Sequence, residues 1–251
     1  MIKSPEFSNT IMKIDPNEEM LVVILNQHAS NMTFNWLCNT VSMGQVHDRT
    51  LLVLLDDESS KLFSKHWPKI NQFKFIVPGL KDPFNYGDGK YQLFYLLRAN
   101  LAQALLHFNL KFWMIQQDTY WATSLISLNL ISDENSDDIT FDRASEHSNL
   151  IAGGYYFVRP TSNSKNYFKQ LSDDISWWYV PDNAYMTSLC ELTNLAKCGS
   201  LPFSLISNWQ WLNSKSHGNN PKLIQFDGET KLGSKLEKVV LFEAITKFNK
   251  P

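Results

Sequence analysis

The chain has 251 residues, with 43% hydrophobic and 19% charged residues, which is the composition of a folded globular domain with a sizeable core rather than of a disordered segment. Its net charge is −2 and its pI is about 6.3, so it lacks the basic footprint of a nucleic-acid or anionic-membrane binder. Aromatic residues reach 13%, with eight Trp; most of these belong in a core, but the number leaves room for stacking surfaces.

Residues 1–19 are polar and mixed. They read as a stem or extension, and neither a signal peptide nor a membrane span stands out. The expectation is a soluble chain, located in the Golgi or secretory lumen if the native protein carries an N-terminal anchor and in the cytoplasm otherwise. Cys38, Cys190 and Cys198 form no CxxC pair and no zinc spacing. From Met20 onward the chain reads as one domain. The apolar run Met20–Asn26 predicts a buried strand, and Thr33 is placed to cap a helix that extends to Met43. Thr50–Asp57 predicts a second strand, Ser59–His66 a helix, and Phe73–Val77 a third strand stopped by Pro78-Gly79. Lys81–Lys90 reads as a loop. Tyr91–Phe108 follows as a long helix, with Leu93, Leu96, Leu97, Leu101, Leu105 and Phe108 on one face. Phe112–Gln116 is the fourth strand.

Short apolar strands alternating with helices predict an α/β fold, with a mainly parallel central sheet flanked by helices. Such sheets bind ligands beyond the carboxyl ends of their strands, where Asn26, Asp56 and Asp118 fall. Asp118 is the sharpest candidate. It ends an apolar strand beside Gln116 and Gln117 with no capping partner in view. The common nucleotide and hydrolase signatures are missing: no GxGxxG follows the first strand, GDGKY at residues 87–91 has no hydroxyl after Lys90, and neither GxSxG nor HExxH occurs.

The ordered segments NWLCNT, LLDDES, YQLFYLLRANLAQALLHF, FWMIQQDTYW, LIAGGYYFVRPTSNSKNYFKQL and PDNAYMTSL resemble the nucleotide-diphospho-sugar transferase domain of rhamnogalacturonan xylosyltransferases and related α-galactosyltransferases. That domain has a GT-A fold. The resemblance runs from about Met20 to Lys231 and implies a single GT-A-like domain over residues 20–251. It implies a UDP-sugar donor, a glycan or protein acceptor, and retaining transfer. In that family the fourth strand ends in Asp-x-Asp, whose acids hold Mn²⁺ or Mg²⁺ on the diphosphate; here the positions are Gln116, Gln117 and Asp118, with Trp121 in place. A histidine near the carboxyl end completes the family's metal shell. In LIQFDGETK Gln225 takes that position, Asp227 follows it, and Gly228 and Lys231 match the phosphate-facing stretch. Two of the three metal positions are amides, so the resemblance implies weakened or lost metal dependence, with Asp118 the one remaining acidic ligand.

The resemblance carries over further residues. Arg98 matches a basic residue that meets the diphosphate or bridges to Asp118, and Asn26 a position facing the uridine. Gly153 and Gly154 let the backbone approach the donor sugar, although a strand bulge alone would also use them. Asp182 matches an acid on the acceptor side, although after Pro181 it also suits a helix cap. Asp138 and Asp142 match positions near the transferred sugar. Asp118, Asp142 and Asp182 are thus the candidate catalytic acids, and Asn26, Arg98, Gln116, Gly153, Gly154, Gly228 and Lys231 the candidate donor contacts. The alternative is a degenerate transferase fold kept as a binding or scaffold module.

Overall fold

A computed structural model describes residues 1–84, 87–130, 137–208, 211 and 220–226. Among them, ten strands run in chain order: β1 Met20–Leu25, β2 Thr50–Leu54, β3 Asn71–Lys74, β4 Phe112–Ile115, β5 Thr119–Trp121, β6 Ile139–Arg143, β7 Ile151–Val158, β8 Cys198–Ser200, β9 Ile206–Ser207 and β10 Leu223–Gln225. The helices are α1 Pro5–Ile11, α2 Ser30–Thr40, α3 Asp57–His66, α4 Gly89–His107, α5 Ser162–Ile175 and α6 Asp182–Leu192. The central sheet has seven strands in the order β3-β2-β1-β4-β7-β6-β8. β1 pairs in parallel with β2 and β4, and β2 pairs in parallel with β3. β7 lies antiparallel to both β4 and β6, so it is the reversed strand of a mainly parallel sheet.

Both faces of this sheet are covered at its centre, which is why β1, β2 and β4 are nearly continuous apolar runs. Val22 and Ile24 of β1 point into a core shared with Phe7 and Ile11 of α1, with Leu97, Leu101 and Leu105 of α4, and with Phe168 and Leu171 of α5. Leu21, Val23 and Leu25 point the other way, to Trp36 and Leu37 of α2 and Phe63 of α3. The alternation follows from the two-residue period of a strand. A three-stranded sheet, β5-β10-β9, lies beyond the end of β4.

Several boundaries differ from expectation. α2 begins at Ser30, and Thr33 is buried inside it with its hydroxyl donating to the Ala29 carbonyl (2.9 Å). The cap signal at Thr33 is therefore an internal back-bond. β3 begins at Asn71, two residues early, and ends at Lys74. It is an edge strand in which polar Asn71 and Gln72 hold ladder positions opposite Leu51 and Leu52. Residues 1–19, read as a stem or extension, carry α1, and Phe7 packs against Phe73 with ring centroids 4.8 Å apart. Cys190 and Cys198 form a disulfide between α6 and β8; their spacing alone does not reveal it. Among the described residues no helix is long and apolar enough to cross a membrane.

Asp138 is at the amino end of β6, the opposite edge of the sheet from the candidate site, contrary to the expectation that it lies near a transferred sugar. Its carboxylate accepts from Thr161 Oγ1 (2.5 Å), Asn163 Nδ2 (3.1 Å) and the Lys197 amide (2.7 Å), tying β6 to the start of α5 and to β8. Burial alone would raise its pKa, but the hydrogen bonds from Thr161, Lys197 and Asn163 outweigh burial and lower it. A carboxyl lowered in the folded state stabilises above the ordinary carboxylate range, and that stability is lost as pH falls through the folded value. Asp138→Ala is expected to cost roughly 2–3 kcal/mol near neutral pH. In urea unfolding, the gap from wild type should narrow as the solution is acidified.

Candidate active site

The strand directions bring one set of residues to one edge. β1, β2 and β4 run out directly into Asn26, Leu55-Asp56 and Gln116. β6 has the same sense and carries Asp142 near its end, while the reversed β7 begins at that edge with Ile151, Ala152, Gly153 and Gly154. Asn26 and Asp118 thus share the carboxyl edge, as read from the sequence.

The centre of this edge is a pair of amides. β10 pairs antiparallel with β5, placing Gln225 opposite Thr119, and the Phe226 amide donates to the Asp118 carbonyl (2.8 Å). That pairing swings the buried Gln225 side chain onto the half-buried Gln116, and Gln225 Nε2 donates to Gln116 Oε1. Gly154 lies directly beneath, and a Cβ at that position would collide with the Gln225 carboxamide. The glycine leaves the room that the amide occupies, within the bulge where β7 loses register with β6 between Phe141 and Arg143. Asp118, itself buried, follows Gln116 by two residues.

The turn from β4 into β5 is braced from below. The Trp121 indole donates to the Tyr155 hydroxyl (2.8 Å), which lies 2.8 Å from Thr119 Oγ1 and 3.2 Å from the Gln116 carbonyl. Burial pushes the Tyr155 phenol well above its ordinary pKa, so it serves as a neutral brace. Asn39 of α2 holds the Trp121 backbone from both sides, donating to its carbonyl (3.1 Å) and accepting from its amide (2.9 Å).

Arg98 is turned inward. The guanidinium, 4% exposed, donates to Asp182 Oδ2 (2.7 Å) and to the Gly153 carbonyl (2.5 Å), and sits 5.3 Å from the Tyr156 ring centroid. The bridge considered to Asp118 is made to Asp182 instead. Burial alone would lower the Arg98 pKa, but the Asp182 carboxylate, together with the nearby Tyr156, Tyr91 and Tyr95, outweighs it and holds the guanidinium charged. Burial pushes the Asp182 carboxyl up, with Arg98 opposing. Asp182 is the first residue of α6, with Oδ1 accepting from the Asn183 amide (2.8 Å). Asp142 accepts from the Gly153 amide (2.9 Å) and the Tyr155 amide (2.8 Å). Arg98, Asp142 and Asp182 therefore converge on the backbone of the β7 bulge at Gly153, where φ is +81° and a side chain would meet Asn183 Cβ.

Asn26 donates to the Leu80 carbonyl (2.9 Å) and accepts from the His28 amide (3.1 Å). Asp56 caps α3 through the Ser59 amide and also accepts from the Gln27 amide, each at 2.6 Å. Gly228, Lys231 and Asp227 lie outside the described residues. Tyr155 and Asn39, both central to the brace, carried no signal of their own in the sequence, because a tyrosine in an apolar strand and an asparagine in a helix are ordinary.

A divalent cation asks for several oxygen ligands, with carboxylates to offset its charge. The donor set around Gln116 fits this poorly: both amides are neutral, and the Gln116 oxygen already accepts from Gln225. Among the described residues no group of three His, Cys, Asp or Glu is placed to hold a metal.

The fold is that of GT-A glycosyltransferases. The structure is similar to the galactosyltransferase LgtC in complex with donor and acceptor sugar analogues, with a TM-score of 0.58 and 8% identity over 89% of this chain and 95% of that one. It is also similar to mouse xyloside xylosyltransferase 1, with a TM-score of 0.54 and 10% identity over 85% of this chain and 99% of that one. A third likeness is to the bifunctional glycosyltransferase WbbM, at a TM-score of 0.53 and 11% identity; it covers 85% of this chain but only 46% of WbbM. A sequence search of curated proteins finds no match. The model of one family, nucleotide-diphospho-sugar transferase, matches residues 45–239, and the chain belongs to that family.

Proposed function

We propose that this glycosyltransferase takes its sugar from a UDP-sugar, transfers it with retention to a glycan or protein acceptor, and holds the donor without strict need for Mn²⁺ or Mg²⁺. The observation that carries the metal reading is the hydrogen bond between Gln225 and Gln116, at the two positions where the resemblance expects ligands. In the transfer, the bond from the anomeric carbon to the diphosphate oxygen breaks and one to the acceptor oxygen forms on the same face of the sugar; UDP departs with the added negative charge, and the acceptor hydroxyl gives up its proton to the departing diphosphate or to solvent. Asp118 is the acid at this edge that orients the donor. Arg98, Asp142 and Asp182 act one step removed, by fixing the glycine bulge against which the sugar lies. UDP and retention rest on the family resemblance. Gly228 and Lys231 are the proposed contacts to the phosphates.

A second reading, a family member that binds donor without turning it over, is favoured by one observation. The side chains of Arg98, Asn26 and Asp142 spend hydrogen bonds inside the fold. Asp118→Asn separates the two. If the chain transfers sugar, slow hydrolysis of its UDP-sugar should fall by about a hundredfold or more with the thermal midpoint little changed. The panel is UDP-glucose, UDP-galactose, UDP-xylose and their N-acetyl relatives, with mixed acceptor glycans present. Equal hydrolysis by wild type and variant would remove Asp118 from the chemistry, and no turnover by wild type would favour the binding module.

A further inference from the structure

The connection between α5 and α6 exposes three consecutive aromatic residues: Trp177 at 86%, Trp178 at 71% and Tyr179 at 59%. Aromatic area on this scale is normally covered in a soluble domain, and a contiguous exposed patch marks an interaction surface. The backbone that carries it is fixed. The Gln92 side chain donates to the carbonyls of Ile175 (2.8 Å) and Trp178 (2.9 Å) and accepts from the Val180 amide (3.3 Å). The amides of Trp177 and Trp178 both donate to the Asp174 carbonyl, at 3.0 and 2.9 Å. Rings on a pinned backbone lose little conformational freedom when they stack on a ligand.

Topology places this patch. β7 is the reversed strand, so α5 starts at the amino edge and returns along α4 to the carboxyl edge. Lys165 meets Asn109 near the end of α4, and Ile175 meets Gln92 near its beginning. The aromatic patch therefore lies on the same edge as Asp118 and the Gln116–Gln225 pair. Only Val180 and Pro181 separate Tyr179 from Asp182, whose ion pair with Arg98 fixes the glycine bulge. Three residues of chain span at most about 11 Å, roughly the length of two sugar rings.

The charges nearby choose among occupants. Residues 169–185 hold one Lys and three Asp. Lys169 is paired with Asp173, and Lys90, at the start of α4, is paired with Asp82. Interfacial aromatics that bind anionic lipid come with basic residues, and here the cations are spent on acids, which leaves near-neutral surroundings. A neutral saccharide suits them. The C–H face of a pyranose is complementary to the electron-rich face of an indole, and its rim hydroxyls can donate to nearby carboxylates.

We propose that Trp177, Trp178 and Tyr179 form a stacking platform for the acceptor, and that this acceptor is a neutral oligosaccharide long enough to rest on the platform while its terminal sugar reaches the donor edge. The inference rests on the donor site proposed above.

The test uses the whole chain, wild type and Trp177→Ala/Trp178→Ala, on an array of neutral gluco-, galacto-, manno- and xylo-oligosaccharides of increasing length. A UDP titration is run in parallel. Because both rings are exposed, the double variant should melt with wild type. Wild type should bind at least one series, more tightly as the chain lengthens, and the variant should lose about tenfold or more of that affinity with UDP affinity unchanged. The platform is overturned if wild type binds no oligosaccharide, or if the variant binds as well as wild type. It is equally overturned if the substitutions instead abolish binding to phosphatidylserine vesicles or dissociate a dimer. Absence of UDP binding in the parallel arm refutes the donor site itself, and the UDP arm distinguishes that failure from failure of the platform alone.

Discussion

Replacing Arg98 with methionine is expected to lower the unfolding free energy by about 3–5 kcal/mol, because it leaves a buried carboxylate without its partner. The Arg98–Asp182 pair is enclosed, with side-chain exposures of 5% and 7%. The guanidinium also satisfies the Gly153 carbonyl, so the loss is more than one ion pair. The double variant Arg98→Met/Asp182→Asn removes the stranded charge and keeps an acceptor for the Asn183 amide; it should recover at least half of the loss. The pH dependence has a definite sign. Burial already pushes the Asp182 carboxyl up against the pull of Arg98, and without Arg98 it rises further. A carboxyl whose folded pKa lies above its unfolded one causes a stability loss that grows as pH rises from the ordinary carboxylate range toward the folded value. The deficit of Arg98→Met in urea unfolding should therefore be smaller in mild acid than at neutrality.

That pair also shows where sequence reading stops. Arg98 was legible as an oddity in an apolar helix face, but its partner lies 84 residues away, and only the return of α5 along α4 brings Asp182 to it. The strands β1, β2 and β4 were legible because a strand covered on both faces must be apolar throughout. β3 was displaced by two residues because an edge strand tolerates Asn71 and Gln72 in its ladder. The start of α2 was misplaced because Thr33 back-bonds within the helix, a use of threonine that its sequence does not distinguish from capping. At the site, the resemblance put Gln116 and Gln225 at matched positions, and the structure brings them into contact across 109 residues. Asp138 shows the reverse: near Asp142 in sequence, it occupies the far edge because the extended residues Ile139, Thr140 and Phe141 of β6 separate them in space.

The largest change in ligand response is expected from Gln116→Asp/Gln225→His. The substitutions return a carboxylate and an imidazole to positions that already touch, beside Asp118. Gly154 leaves the space that a side chain at 225 uses. Two carboxylates and a histidine can hold Mn²⁺ on a diphosphate, where the amide pair offers no charge to offset the cation's. UDP affinity of the double variant should rise by about tenfold or more when Mn²⁺ is added and fall back with EDTA. An affinity indifferent to Mn²⁺ in this variant would mean that these positions do not face the diphosphate.

Calorimetric titration of the wild-type chain with UDP, once in EDTA and once in Mn²⁺, tests the central claim most directly. The account predicts saturable binding in both, with affinities within about threefold of each other, since a metal that adds less than 1 kcal/mol is not structural to the site. Binding that appears only with Mn²⁺ would contradict the reading of the Gln116–Gln225 pair, and no binding under either condition would contradict the donor site itself.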